Sequence, residues 1–251
     1  IEHGTVTAIM GARPFQITTL RRDVATDGRR AVVEFTNDWV EDSRRRDFTF
    51  NALSADIDGM VYDYTDGITD LREGRVRFIG KASDRIAEDH LRVLRFYRFQ
   101  AHYGKTDPDP DAIAACSAAV RSVEALPGER VWNELSRTLT APEPTQVIEL
   151  MEKNGLLRLL LSARRSVSRL TALAALETMV KLDPDPVRRL TALVQPDRNE
   201  ASQIVTRLRL SRHETARFDD LATRRGESTA GMNDLALRRS LYSLGPERFR
   251  E

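Results

Sequence analysis

The feature that most constrains the fold is a change of pattern near Ser83. Before it, short β-branched and aromatic runs alternate with Gly and Pro turns; after it, the apolar runs take helical spacing. "GTVTAIM" and "PFQITTL" read as the two strands of a hairpin turned between Gly11 and Pro14, and "RRAVVEF" as a short third strand. "EDSRRRDFTF" reads as a helical turn or short helix. In "NALSADIDGMVYDY", Asp58-Gly59 separates two further strands. Ser83 is placed to cap a helix predicted to run to about Tyr103. Helices are also predicted over 111–123, in "ERVWNELSRTL", and in "PEPTQVIELMEKNG", which begins beside prolines and stops at Asn154-Gly155. "VSRLTALAALETMVKL", "PVRRLTALV", "ASQIVTRLRL" and "DLALRRSLYSL" continue the pattern, with Ser211 and Glu214 spaced as a capping box. No sequence repeat of fixed period interrupts it. The expected architecture is an α+β N-terminal part followed by an all-α part.

At 251 residues and 41% hydrophobic, the chain has enough material for one large domain or two to three small ones. Its formal charge of +1 gives no bulk signal for nucleic acid. Only Lys81, Lys105, Lys153 and Lys181 among the 39 basic residues are lysine, a bias that a GC-rich coding sequence produces by itself, so position must carry any argument from arginine. A single cysteine, Cys116, excludes an internal disulfide framework and fits a reducing cytosol. No apolar run approaches a membrane span and nothing resembles a signal peptide, so the expected location is cytoplasmic, with no membrane partner. His102 and His213 have no metal-ligand spacing with other histidines or Cys116, and no zinc is assigned.

The segment "EDHLRVLRFYRF", Glu88–Phe99, sets arginines at a strict three-residue spacing directly after Glu-Asp. On one helix, Asp89, Arg92 and Arg95 climb one face while Leu91, Leu94 and Phe99 turn toward a core. Intrahelical pairing of Glu88 or Asp89 with Arg92 accounts for any one pair at a few tenths of a kcal/mol, roughly 0.2–0.5. A sharper chemistry is available to Asp89 and Arg92 together. A carboxylate only accepts hydrogen bonds and a guanidinium only donates. Cytosine and adenine each offer an amino donor beside an acceptor ring nitrogen; uracil and guanine present the reverse. Such a pair fits C and A and leaves mispaired groups against U and G, which is costly when buried. Arg95 and Arg98 continue the row toward phosphates, where a planar fork of donors is useful.

Two further clusters accompany this helix. In "RRRDFTFNAL", Arg44–Leu53, Phe48 and Phe50 are expected in the core; the three arginines followed by aspartate read either as a solvated helix end or as a functional cluster in which Arg46 reaches a triphosphate and Asp47 and Asn51 hold a ribose hydroxyl. "DYTDGITDLREGRVRFIG" carries Asp63, Gly67, Asp70 and Arg77 and reads, by itself, as a loop and turn.

In this order the clusters resemble the bacterial class II tRNA nucleotidyltransferase and poly(A) polymerase family. The matching stretches are "HGTVTA" from His3, "RRDFTFNA" from Arg45, the Asp63–Gly80 segment, "RIAEDHLRVLRFYRF" from Arg85 and "ERVWNEL" from Glu129. The resemblance implies a polymerase-β-like nucleotidyltransferase head over 1–81, a helical neck with the nucleotide-selecting helix over 82–161, and a helical body and tail that binds RNA over 162–251. It implies template-independent addition of C and A to the 3′ end of tRNA, with CTP and ATP as substrates and Mg²⁺ as cofactor. Asp89 and Arg92 would then act as a protein template for the base. Arg46, Arg95 and Arg98 would bind the nucleotide, Asp47 and Asn51 would surround the ribose, and the loop around Asp63, Gly67 and Asp70 would act as a hinge between the C and A steps.

Two departures stand against it. The family's metal-binding Asp-x-Asp and Gly-rich phosphate loop belong ahead of "HGTVTA", and the expectation is that they precede Ile1. Gln16 stands where many relatives carry glutamate; it is neutral and a weaker Mg²⁺ ligand. The alternatives are a poly(A) polymerase or a partial, A-only or CC-only, enzyme on the same scaffold, and an RNA-binding remnant without catalysis. Arg207, Arg209 and Arg212 are as compatible with a solvated face as with an RNA track.

Overall fold

A computed structural model describes residues 4–27, 30–194 and 196–223. His3, the predicted helix over 234–244 and the end of the predicted tail lie outside the described residues. The chain divides into two compact units, one of residues 1–126 with Asn154–Leu156, the other of Pro127–Lys153 with Leu157 onward. The breaks expected at 81 and 161 therefore fall inside units.

In the first unit, β1 (Thr5–Met10) and β2 (Arg13–Thr18) form the expected antiparallel hairpin, with Met10 opposite Arg13. Gly11 supplies the positive φ of 58° that this two-residue turn requires. β4 (Arg30–Phe35) pairs with β3 (Arg21–Asp27), a strand the sequence did not announce. "RRDVATD" has no alternation of apolar and polar residues; backbone pairing alone defines it as a strand. β5 (Ser54–Ala55) and β6 (Val61–Tyr62) flank the expected turn, where Gly59 has φ of 86°.

Between these hairpins, α1 (Trp39–Arg44) starts at Asp38, whose Oδ1 accepts the Val40 N–H at 2.7 Å. A 3₁₀ turn follows at Thr49–Ala52. α2 (Gly67–Glu73), α3 (Ala82–Glu88), α4 (Leu91–Tyr103) and α5 (Pro110–Ala118) complete the unit with a 3₁₀ turn at Val120–Ala125. Its core is aromatic. Phe48 is fully buried, with its ring 4.5 Å from that of Phe78 and 5.0 Å from that of Phe99, and Phe96 lies 5.8 Å from Phe78. Phe50 is only partly buried, against the edge of Phe99, so it borders the core rather than filling it.

The single helix expected from Ser83 to Tyr103 is two. Asp89 breaks it with extended backbone, φ −153° and ψ 109°, and its Oδ1 accepts the Leu91 N–H at 3.0 Å. An aspartate that bonds backbone amides ahead of it starts a helix better than it continues one. Ser83 sits within the first turn of α3 and its hydroxyl bonds Asp84 instead of capping.

The second unit is helical: α6 (Gly128–Leu139), α7 (Thr145–Lys153), α8 (Leu156–Leu160, whose first residue belongs with the first unit), α9 (Val167–Val180), α10 (Pro186–Leu193), α11 (Arg198–Leu208) and α12 (Arg212–Thr223). Leu135, Ile148, Met151, Leu170, Leu190 and Phe218 are buried in it. The Ser211–Glu214 capping box forms, with the Ser211 N–H donated to Glu214 at 2.8 Å and the Glu214 N–H to Ser211 Oγ at 3.3 Å. A second box at Asp197 and Glu200 was not anticipated. Among the described residues no helix is long and apolar enough to cross a membrane.

Candidate functional site

The site lies in the first unit and is built from the Arg44–Asn51 segment and the start of α4. Asp47 is buried. Its Oδ1 accepts the Phe48 N–H at 3.0 Å and the Asn51 amide at 2.8 Å, and its Oδ2 pairs with Arg95 Nε. Burial pushes the Asp47 carboxyl up, but the Arg95 charge and the hydrogen bonds from Arg95, Asn51 and Phe48 outweigh it and hold the group below the usual carboxylate range. Arg95 and Arg98 both lie over the Phe99 ring, at 5.3 and 4.2 Å from its centroid, so one aromatic ring supports two cations of α4.

Arg92 is half-buried and already engaged. Its Nη1 donates to Glu88 and to the Arg85 carbonyl (2.7 Å), and its Nη2 donates to the Arg45 carbonyl at 3.3 Å. Those three bonds leave two of the five guanidinium donors, Nε–H and one on Nη2, for another acceptor. Asp89 precedes α4 in extended backbone, so the expected single-helix face of Asp89, Arg92 and Arg95 does not form. The break nevertheless keeps Asp89 beside Arg92, whose N–H bonds the Asp89 carbonyl at 3.0 Å.

Arg46 is fixed from below. Asp42, on α1 and almost fully buried, accepts Arg46 Nη2 at 2.9 Å and Nε at 3.2 Å on one oxygen, and Arg45 Nε at 2.9 Å and the Arg21 N–H at 3.3 Å on the other. Arg46 Nη1 also reaches the Asn51 carbonyl at 3.3 Å. Burial pushes the Asp42 carboxyl up, yet the bonds from Arg45 and Arg46 hold it below its ordinary value. Sequence reading passed over Asp42, although its i,i+3 and i,i+4 spacing to Arg45 and Arg46 was a visible signal.

Of the segment expected as a hinge loop, Asp63 lies ahead of α2 and Gly67 and Asp70 lie within it. Asp63 receives the N–H groups of Thr65, Gly67 and Ile68 at 2.9–3.0 Å and so opens α2, which contains both Gly67 and Asp70. A Cβ on Gly67 would come within 2.4 Å of the Thr49 carbonyl oxygen; only glycine lets α2 approach the 3₁₀ turn that carries Asn51. Asp70 is buried and accepts the Thr49 hydroxyl at 2.6 Å and Arg77 Nε at 2.9 Å. Asp63, with three amides aimed at it, is also held below the usual range despite the opposing effect of burial. A cleft of about 990 Å³ in the same unit, lined by Arg75, Arg77, Lys81 and Asp107 among others, includes none of the residues assigned to the nucleotide.

Gln16 is exposed on β2, opposite Thr7. Among the described residues no group of three or more His, Cys, Asp or Glu side chains is arranged to hold a metal ion. A neutral amide on a two-stranded hairpin does not fit a two-metal centre.

Residues 1–77 match the family described as Poly A polymerase head domain, and residues 107–165 match that described as Probable RNA and SrmB- binding site of polymerase A. The chain is 35% identical over 219 residues to the mitochondrial CCA tRNA nucleotidyltransferase 1 of Mus musculus, covering 85% of this chain and 49% of that protein. It is 32% identical over 223 residues to the CCA-adding enzyme of Streptococcus sanguinis, covering 88% and 56%. The chain thus spans about half the length of these relatives. Its fold is similar to the CCA-adding enzyme of Bacillus stearothermophilus crystallised with CTP, with a TM-score of 0.69 at 22% identity over 99% of this chain and 62% of that one. A tRNA-processing enzyme solved with CTP gives a TM-score of 0.71 at 20% identity, covering 96% and 65%. The architecture is accordingly that of a polymerase-β-like head followed by helices, and the chain belongs to the class II CCA-adding tRNA nucleotidyltransferase and poly(A) polymerase family.

Proposed function

We propose that the protein is an RNA 3′-terminal nucleotidyltransferase that adds C and A to tRNA from CTP and ATP. The observation that carries the proposal is the fastening of α4 to the Arg44–Asp47 segment, through Arg92 to the Arg45 carbonyl and Arg95 to Asp47. Two stretches more than forty residues apart are thereby held together as one set of oriented donors and acceptors. In it, Asp89 accepts the amino group of C or A while the remaining Arg92 donors meet the adjacent ring nitrogen. Asn51 gives its N–H to Asp47 and turns a carbonyl oxygen toward a ribose hydroxyl. Arg46, Arg95 and Arg98 meet the phosphates. The Asp63-capped helix α2, resting on the turn that carries Asn51, is the element that shifts between the C and A steps.

Mg²⁺ is the metal this reaction class uses, and the described residues contribute no ligand set for it. The relatives carry the names of mitochondrial and bacterial CCA enzymes, which favours CCA addition over poly(A) synthesis; the cytoplasm is the compartment proposed here. The full-length protein, given tRNA ending before CCA and each nucleotide in turn, should add C and then A and reject U and G. Incorporation of A alone onto unrelated RNAs would replace this reading with poly(A) polymerase. RNA binding without incorporation of any nucleotide would leave a binding remnant.

A further inference from the structure

We propose that Asp42 is a positioning residue for nucleotide binding, holding the Arg46 guanidinium in the plane and direction in which it meets the triphosphate. The proposal rests on the nucleotidyltransferase reading above. Its ground is the contrast between the two partners of one ion pair: the Asp42 side chain is 4% exposed and that of Arg46 is 41% exposed. A flexible arginine on a surface normally samples many rotamers, and binding a ligand then requires freezing them. Here one carboxylate oxygen takes both Nε and Nη2 of Arg46, and the Asn51 carbonyl takes Nη1. Each of the three guanidinium nitrogens is thus anchored on the protein side, and the remaining N–H groups on Nη1 and Nη2 are left for a ligand. A lysine could not be held this way, because an ammonium has no plane to fix.

Asp42 is itself held by the fold. It lies within α1, and its second oxygen is tied to Arg45 and to the Arg21 N–H at the first residue of β3. Arg45 also presents its carbonyl to Arg92, so the same short segment carries a phosphate-facing arginine and an anchor for a base-facing one. Loss of the Asp42 charge would free Arg46 and leave two guanidinium groups competing for fewer acceptors. The increment that a triphosphate adds to binding should fall, while recognition of the base and sugar persists.

The test compares CTP with CMP by equilibrium titration of the full-length protein as wild type, D42N, R46A and the double variant. Loss of one oriented charge-assisted contact should raise the dissociation constant for CTP about tenfold in D42N and leave that for CMP within about twofold. R46A should do the same, and D42N added to R46A should cost little more, since Asp42 acts through Arg46. Equal weakening of CTP and CMP, or losses that add in the double variant, would overturn the proposal as a purely structural effect of Asp42. Should D42N fail to fold by thermal melting, D42S carries the same comparison of CTP with CMP. Wild-type protein that does not bind CTP more tightly than CMP sinks the nucleotidyltransferase reading itself. Wild-type preference for CTP that D42N leaves intact sinks only the role of Asp42.

Discussion

Two arginine–carboxylate clusters, one in each unit, use the same chemistry for opposite ends. In the first unit, Asp47 and Asp42 are buried while Arg95 and Arg46, which they hold, remain partly exposed. In the second, Glu177 on α9 takes Arg188 Nε at 2.8 Å and Arg189 Nε at 2.7 Å, and all three side chains are buried. Arg189 donates further to the carbonyls of Leu139 and Ala141 at the end of α6, and Arg188 to that of Asp183. Those donors end on protein acceptors, tying α9 and α10 to the last turn of α6. A guanidinium surrounded on every side fastens helices; one whose side chain stays partly exposed keeps a face toward solvent. Exposure of the arginine, and not its pairing, separates the two cases.

The sharpest way to break that contrast is to remove the central acid of the closed cluster. E177Q leaves two buried guanidinium groups without a full counter-charge and should cost about 3–5 kcal/mol of stability, read as a fall in the denaturant midpoint. A loss near that of a surface pair, about 1 kcal/mol or less, would show that water reaches the cluster and that it is not closed. Arg92, which is mostly buried beside the open cluster, should respond in the other sense. R92A removes a part-buried pair with Glu88, for a stability loss of about 1 kcal/mol, yet should lower discrimination of CTP over UTP by roughly ten- to a hundredfold in single-nucleotide incorporation. Unchanged discrimination with weakened RNA binding would remove Arg92 and Asp89 from base selection.

Acid should act on the open cluster through named groups. Asp42 and Asp47 are both held below the ordinary carboxylate range, so the stability they contribute is complete above that range, near pH 4. It is lost as pH falls through their depressed folded values, because the unfolded state then binds more protons. A denaturation series downward from neutral pH should show stability falling on entry to the carboxylate range in wild type. The fall should be shallower in D47N, which has one fewer such group. Equal slopes in the two proteins would mean that Asp47 is not held by Arg95 in solution.

How much of this was legible in the sequence differs between the clusters for a physical reason. "RRRDFTFNAL" and "EDHLRVLRFYRF" announce themselves because charges interrupt apolar runs where a plain amphipathic helix has no use for them. The α/β-to-helix division, the Gly11 and Gly59 turns and the stop at Gly155 were also visible, since each depends on local backbone preference. Arg188-Arg189 gave no such sign: in "PVRRLTALV" they look like the solvated face of a helix, and only the fold brings Glu177 and two carbonyls to them. The break at Asp89 was missed because helical periodicity runs through it; the local preference of aspartate for an N-terminal amide wins over periodicity by one hydrogen bond. β3 was missed because its pairing is made by backbone groups that sequence pattern does not report.

The smallest effect concerns the interior of the first unit, where the open cluster has its foundation. Burial pushes the Cys116 thiol up to about 12 and, with an opposing hydrogen bond from Asn154, the Tyr97 phenol also to about 12. A thiol with that pKa, fully enclosed, reacts with iodoacetamide near neutral pH only when the unit opens. Labelling of Cys116 therefore reads the opening free energy of the first unit. Y97F deletes the hydroxyl that accepts the Asn154 amide at 2.8 Å and leaves that amide to find another acceptor, a loss of about 1 kcal/mol. Labelling should accelerate about fivefold in consequence. If Y97F labels at the wild-type rate while both remain slow, Cys116 is reached by a local fluctuation that spares Tyr97, and the aromatic floor beneath α4 is softer than its packing indicates. If labelling is fast in both, the interior is open to solvent, and the rigid backing that lets Asp47 and Asp42 orient half-exposed arginines is absent.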